Sequence, residues 1–139
     1  MDNFEKISLR LAKLEEYRKA LNRFKAVEAV DLQKDRDKAA IVERNLQLAI
    51  ECCVDIAELL IISGRLKKAD DGKDAIIIVG EAGIIDKEFA REFSKTVGFR
   101  NLLIHEYLDI DYQKVAENLK SNLEDFEVFA QSVARYLTG

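Results

Sequence analysis

The sequence predicts an all-α fold, an up-and-down bundle of about four long helices and one short one, on three observations. Proline is absent from all 139 residues. The first glycine is Gly64, so nearly half the chain runs without either of the two residues that break helices. Apolar residues recur at intervals of three and four along most of the sequence, the period of a helix with one covered face.

Residues 4–24 carry Phe4, Ile7, Leu11, Leu14, Leu21 and Phe24 on one stripe, with Lys13, Glu15, Glu16, Arg18 and Lys19 filling the rest of the turns. This predicts an amphipathic first helix. The stretch DLQKDRD, residues 31–37, reads as a charged break. Asp31, Asp35 and Asp37 could each cap a following helix, and the sequence does not choose among them.

The second helix is predicted from Asp35 to Ile62. It carries two apolar stripes: Val42, Leu46, Ala49, Cys53, Ile56, Ala57 and Leu60 on one, Ile41, Leu48, Cys52, Leu59 and Ile62 on the other. Together they cover more than half the circumference, which requires cover on several sides. Either this is the central helix of a bundle or a homodimer buries the second stripe. The homodimer is the favoured reading.

SGRLKKADDG, residues 63–72, is a loop. In DAIIIVGEAGII, the β-branched run Ile76, Ile77, Ile78 and Val79 has strand propensity. No second strand-like run exists to pair with it, and a lone strand leaves its backbone groups unsatisfied. A short buried helix is therefore predicted. Asp86 reads as the N-cap of a helix ending at Gly98. A last helix starts near Asp109 or Asp111 and buries Val115, Leu119, Leu123, Phe126, Phe129 and Val133. No internal repeat or linker divides the chain, so residues 1–139 form one domain.

Composition limits function. Apolar residues make up 48% and charged residues 35% of the chain, a globular balance. There is no membrane-length apolar run, and the charged N-terminal segment has no apolar signal core, so a cytoplasmic protein with no membrane partner is expected. A net charge of −4 and a pI near 5.2 argue against broad nucleic-acid binding, so a polyanion would need a local basic patch. Cys52 and Cys53 lack metal-ligand spacing and a nearby histidine, and read as small buried apolar side chains. Neither a metal nor a cofactor is expected: there is no HExxH, no Gly-rich phosphate loop and no carboxylate cluster at metal spacing.

The chemistry-bearing stretch is VGFRNLLIHEYLDID, residues 97–111, which holds the one histidine of the chain. On an ideal helix Arg100 and His105 would lie about 140° apart, and His105 and Tyr107 nearly opposite. The three side chains converge only if a short helix through 99–104 gives way to a loop near His105. Imidazole can take and give a proton near neutral pH. Guanidinium stays charged and forks onto phosphate oxygens. A phenol donates a hydrogen bond or accepts a modifying group. Such a set suits metal-free cleavage of an RNA phosphodiester: a base takes the 2′-OH proton, a cation steadies the charged phosphorus, and an acid protonates the leaving 5′ oxygen.

This stretch resembles the signature of the HEPN superfamily, an arginine followed after four to six residues by a histidine. With Tyr107 added it reads R-x4-H-x-Y and is similar to the HepT branch, the toxins paired with a minimal nucleotidyltransferase antitoxin. VERNLQLAIECCVDIA resembles the family's central helix, and AIIIVGEAGIID its short helix before the motif. The resemblance implies an all-α homodimer with both motifs facing one cleft, and a metal-independent endoribonuclease acting on tRNA or mRNA. It implies that Arg100 and His105 are catalytic, that Asn101 orients the site, and that the nucleotidyltransferase AMPylates Tyr107. Two histidines across a twofold axis would supply base and acid together. Lys67, Lys68, Arg91 and Lys95 are candidates to extend a basic patch. The alternative is a non-catalytic helical interaction module that docks a nucleotidyltransferase and presents a nucleotide or substrate to it.

Overall fold

The structure, a computed structural model, describes residues 1–105 and 109–139, and of residues 104 and 105 the backbone alone. The described residues form α1 (Asn3–Asn22), α2 (Ala29–Lys34), α3 (Arg36–Ser63), α4 (Gly72–Glu81), α5 (Lys87–His105) and α6 (Tyr112–Thr138), with no strand among them. The expected four long helices are α1, α3, α5 and α6.

Carboxylates set the starts of these helices by accepting from otherwise unpaired N–H groups. Asp2 accepts from the Glu5 N–H at 2.8 Å, Asp71 from Asp74 at 2.8 Å, and Asp86 from Phe89 at 2.9 Å. Asp111 caps α6 by accepting from Gln113 at 3.0 Å and Lys114 at 3.3 Å. Of the three aspartates in 31–37, it is Asp35 that caps the central helix, accepting from Lys38 at 3.1 Å.

Two expectations are corrected. Residues 29–34 are not a break but a helix, α2. Its first turn is closed by Asp31, which accepts from the Glu28 N–H at 2.9 Å, and Leu32 anchors it in the core. The second correction is at Gly98, where α5 does not stop but runs on to His105. Among the described glycines only Gly83 has positive φ, so Gly98 keeps a right-handed conformation. Val97, Phe99 and Leu103 are buried on either side of it, and their burial outweighs the weak stop signal of one glycine.

The core is one cluster that draws on every helix. At its centre Phe93 of α5 packs with its ring centroid 5.2 Å from Phe89, 6.1 Å from Phe126 and 5.4 Å from Phe129. α3 touches all five other helices. The single chain thus encloses α3 as the central helix of a bundle, which accounts for most of its apolar surface. Its second stripe is only partly covered: Leu48, Cys52 and Leu59 are half-buried, while Ile41 and Ile62 are 41% and 64% exposed.

The isoleucine run forms α4, as the missing strand partner required. Ile76, Ile78 and Val79 are buried, and Gly80 lets α4 press against α5: a Cβ at Gly80 would sit 2.4 Å from Ala90 Cβ. No helix among the described residues is long and apolar enough to cross a membrane.

Candidate active site at the end of α5

α5 extends about 28 Å at helical rise and delivers Arg100, Asn101 and the backbone of His105 to one end of the bundle. α6 returns antiparallel alongside it. Phe93 meets Phe126 and Phe129, Thr96 donates to Asn122 at 3.2 Å, and Phe99 and Leu103 line a hollow with Lys114 and Val115. The start of α6 therefore lies beside the end of α5, with residues 106–111 joining them.

Arg100 is half-buried and its guanidinium is constrained. Its Nη2 donates to Asn101 Oδ1 at 3.0 Å, while its Nε is buried with no partner among the described residues. A buried N–H without an acceptor costs about 1–3 kcal/mol, so it is a donor awaiting an acceptor. Asn101 holds the fork from outside, which fits an orienting role. Arg100 and His105 sit on one continuous helix, five residues apart, so their Cβ directions diverge by about 140°. The anticipated loop therefore cannot begin before His105. The side chain of His105, and Tyr107 as a whole, lie outside the described residues.

The four lysine and arginine candidates for a basic patch divide. Arg91 pairs with Glu88 at 3.3 Å and Lys95 with Glu92 at 3.1 Å. Both pairs are exposed and weak, yet they offset the local charge. Lys67 and Lys68 are exposed on the loop after α3, where Lys68 borders an apolar hollow with Ile61, Ile62 and Leu66. The structure does not gather these four with Arg100 into one patch.

One side chain escaped the sequence reading. Glu43 stands on the line Ala39, Glu43, Leu46, Ile50, whose other three members are buried. Its Oε1 is itself buried and has no partner among the described residues. Burial raises the Glu43 pKa, opposed by the hydroxyl of Tyr112, which donates to the carboxylate. Tyr112 is the first residue of α6, so this contact lies at the motif end of the bundle. The signal was a charged residue on an apolar helical stripe.

The thiols behave as ordinary interior groups. Cys53 is buried and Cys52 half-buried, both free. Burial pushes the Cys52 thiol up to about 11, aided by the Asp55 carboxylate, and burial raises Cys53 as well.

The motif, the helical order and the position of Arg100 coincide with a known family along nearly the whole chain: the HepT-like family model, described as ribonuclease HepT-like, matches residues 10–133. The chain belongs to the HepT-like ribonuclease family. It is 27% identical to the tRNA nuclease HepT of Aphanizomenon flos-aquae over 139 residues, covering 99% of this chain and 95% of that protein. It is 29% identical to the mRNA nuclease HepT of Shewanella oneidensis over 85 residues, covering 61% of this chain and 64% of that one. Among solved structures it resembles the tri-AMPylated HEPN toxin of Shewanella oneidensis in complex with an MNT antitoxin, with a TM-score of 0.83 and 23% identity over 93% of this chain and 96% of that chain. At that identity the likeness is one of fold.

Proposed function

We propose that this HepT-like chain is the toxin of a toxin–antitoxin pair, a metal-independent endoribonuclease that cleaves tRNA or mRNA in the cytoplasm. The observation that carries the reading is the intact Arg100, Asn101, His105 and Tyr107 set in a chain that matches a ribonuclease family from residue 10 to 133. The constrained Arg100, with Nε buried and Nη2 held by Asn101, supports it.

Arg100 binds the scissile phosphate through its fork and neutralises the charge that develops on it. His105 takes the proton of the 2′-OH as that oxygen attacks phosphorus. A bond to the 2′ oxygen forms, the bond to the 5′ oxygen breaks, and a protonated imidazole supplies the leaving oxygen with its proton. One imidazole cannot take and give in the same instant, so the working unit is a homodimer with two motifs in one cleft. The exposed Ile41 and Ile62 on α3 provide apolar surface for a second copy.

Control is by a cognate minimal nucleotidyltransferase. The Tyr107 phenol oxygen bonds to the α-phosphorus of ATP, its proton is lost, and pyrophosphate leaves. The attached AMP adds bulk and negative charge where an RNA phosphate would bind.

The test is cleavage of a mixed RNA pool, tRNA included, by the purified chain in excess EDTA, beside His105→Ala and Arg100→Ala. Light scattering fixes the oligomer, and intact-mass analysis reads AMP on Tyr107. Cleavage by wild type alone supports the nuclease. An unmodified, dimeric wild type that leaves RNA intact overturns it in favour of the docking module.

A further inference from the structure

Glu43 violates the pattern of its own helix. Positions 39, 43, 46 and 50 form one face of α3, and Ala39, Leu46 and Ile50 are 3%, 0% and 0% exposed. An uncharged apolar residue at 43 would complete that face. Instead a carboxyl group stands there with Oε1 shut off from solvent and unpartnered among the described residues. Leaving a buried polar atom without a partner costs stability, and such violations gather where function requires them.

The other side of Glu43 is occupied. Tyr112 packs its ring partly into the core, and its hydroxyl donates to the Glu43 carboxylate. Tyr112 follows the Asp111 cap and opens α6, seven residues after His105 and five after Tyr107. Two anchors hold this turn of α6. Asp111 satisfies its free N–H groups, and Tyr112 ties it to the second turn of α3. The first is local and fixes only where α6 begins in sequence. The second fixes where α6 begins in space, relative to the central helix. Five residues of chain reach at most about 17 Å, so the place of Tyr112 bounds the place of the modified phenol.

We propose that Glu43 and Tyr112 form a positioning pair that holds the start of α6 against α3, and thereby sets the site through which His105 and Tyr107 act. The proposal rests on the nuclease reading and on Tyr107 as the modified residue. Neither Glu43 nor Tyr112 touches the reacting atoms. The pair acts by restricting the chain between α5 and α6, and misplacement of a reacting group by about 1 Å can cost on the order of 100-fold in rate.

Three variants test it: Tyr112→Phe, Glu43→Gln and Glu43→Leu. Each is assayed for RNA cleavage as kcat and KM, for AMP transfer to Tyr107 by the partner nucleotidyltransferase read by intact mass, and for Tm. Tyr112→Phe removes one oxygen and keeps the packed ring. It is expected to lower kcat by about 10- to 100-fold with KM within about twofold, and to slow AMP transfer. Glu43→Gln keeps an acceptor for the phenol and retains most of the rate. Glu43→Leu completes the apolar stripe, so its Tm rises while kcat falls. That opposition distinguishes positioning from a merely structural role, in which rate and Tm would fall together. Unchanged kcat and AMP transfer in folded Tyr112→Phe and Glu43→Leu overturn the proposal. A wild type inert toward RNA whose AMP transfer still depends on Tyr112 overturns the nuclease reading and leaves the positioning pair standing.

Discussion

Thr96 of α5 donates a 3.2 Å hydrogen bond to Asn122 Oδ1 of α6, and both residues are buried, at 6% and 1% exposure. The bond joins the helix that carries Arg100 and His105 to the helix that starts beside them. It fixes their register in a contact otherwise made of apolar side chains, which can slide. Asn122 Nδ2 has no partner among the described residues, so the pair is only half satisfied. Asn122→Ala strands the Thr96 hydroxyl and is expected to cost about 1–3 kcal/mol in urea unfolding. Replacing both, Thr96→Val with Asn122→Leu, removes every unpaired polar group and is expected to recover most of that loss. A double variant no better than the single one would mean that the bond does not matter to stability.

Gly80 and Gly98 are expected to respond to alanine with opposite signs. At Gly80 the new Cβ would meet Ala90 Cβ at 2.4 Å, so α4 and α5 must part. The cost is about 1–3 kcal/mol, read as a lower Tm. At Gly98 a Cβ would meet only Lys73 Nζ, at 3.9 Å, an ordinary contact with a mobile end. Gly98 is helical, so alanine gains up to about 1 kcal/mol from propensity alone. A fall in Tm for Gly98→Ala would contradict the continuous α5.

That same glycine shows what the sequence could not reveal. A glycine after TV and before a motif reads as a stop, because local rules see one residue and its neighbours. What carries α5 through it is the burial of Val97, Phe99 and Leu103 against helices remote in sequence. Residues 29–34 failed for a related reason: one buried leucine gives no periodicity, and the Asp31 side chain closes a turn that propensity does not announce. The opposite happened at Ile76 to Val79, where propensity said strand and the absence of any partner strand decided for α4. The long helices were legible because each repeats its stripe over several turns. Of the site, Arg100 and Asn101 were legible through their motif. Glu43 was not singled out, because its partner Tyr112 lies 69 positions along the chain.

Glu43 also makes stability depend on pH. Burial raises its folded-state pKa, so ionisation opposes folding. For a carboxyl raised in this way, the stabilising contribution is complete below the unfolded value, about 4.3, and is lost as pH rises through the folded value. Glu43→Gln cannot ionise. It should therefore be more stable than wild type at pH 7, with the difference closing as pH falls below about 4. Urea denaturation of both proteins at several pH values between 4 and 7 checks this. A gap that widens on acidification would have the wrong sign.

The thiols predict slow chemistry. With Cys52 pushed up to about 11 and Cys53 raised by full burial, the thiolate fraction at neutral pH is very small. An aromatic disulfide reagent should label the folded protein slowly at pH 7 and both sites promptly in denaturant. Rapid labelling of the native chain would show that α3 opens far more readily than its packing implies.

The site itself yields the last prediction, at Asn101. Its Oδ1 accepts from Arg100 Nη2 at 3.0 Å and is the one partner the guanidinium has among the described residues. Asn101 is exposed, so Asn101→Ala should leave Tm within about 0.5 kcal/mol of wild type. The arginine keeps its charge but loses what aims it. Phosphate attraction survives and orientation suffers, so KM should stay close to wild type while kcat falls by about tenfold. Arg100→Lys removes the fork altogether, and a point charge on a flexible stem cannot grip two phosphate oxygens in the plane that the guanidinium presents. It should lose more than Asn101→Ala, with both KM and kcat affected. If Arg100→Lys retained full cleavage, the bidentate role assigned to Arg100 would be wrong, and simple neutralisation of the phosphate would be the better account.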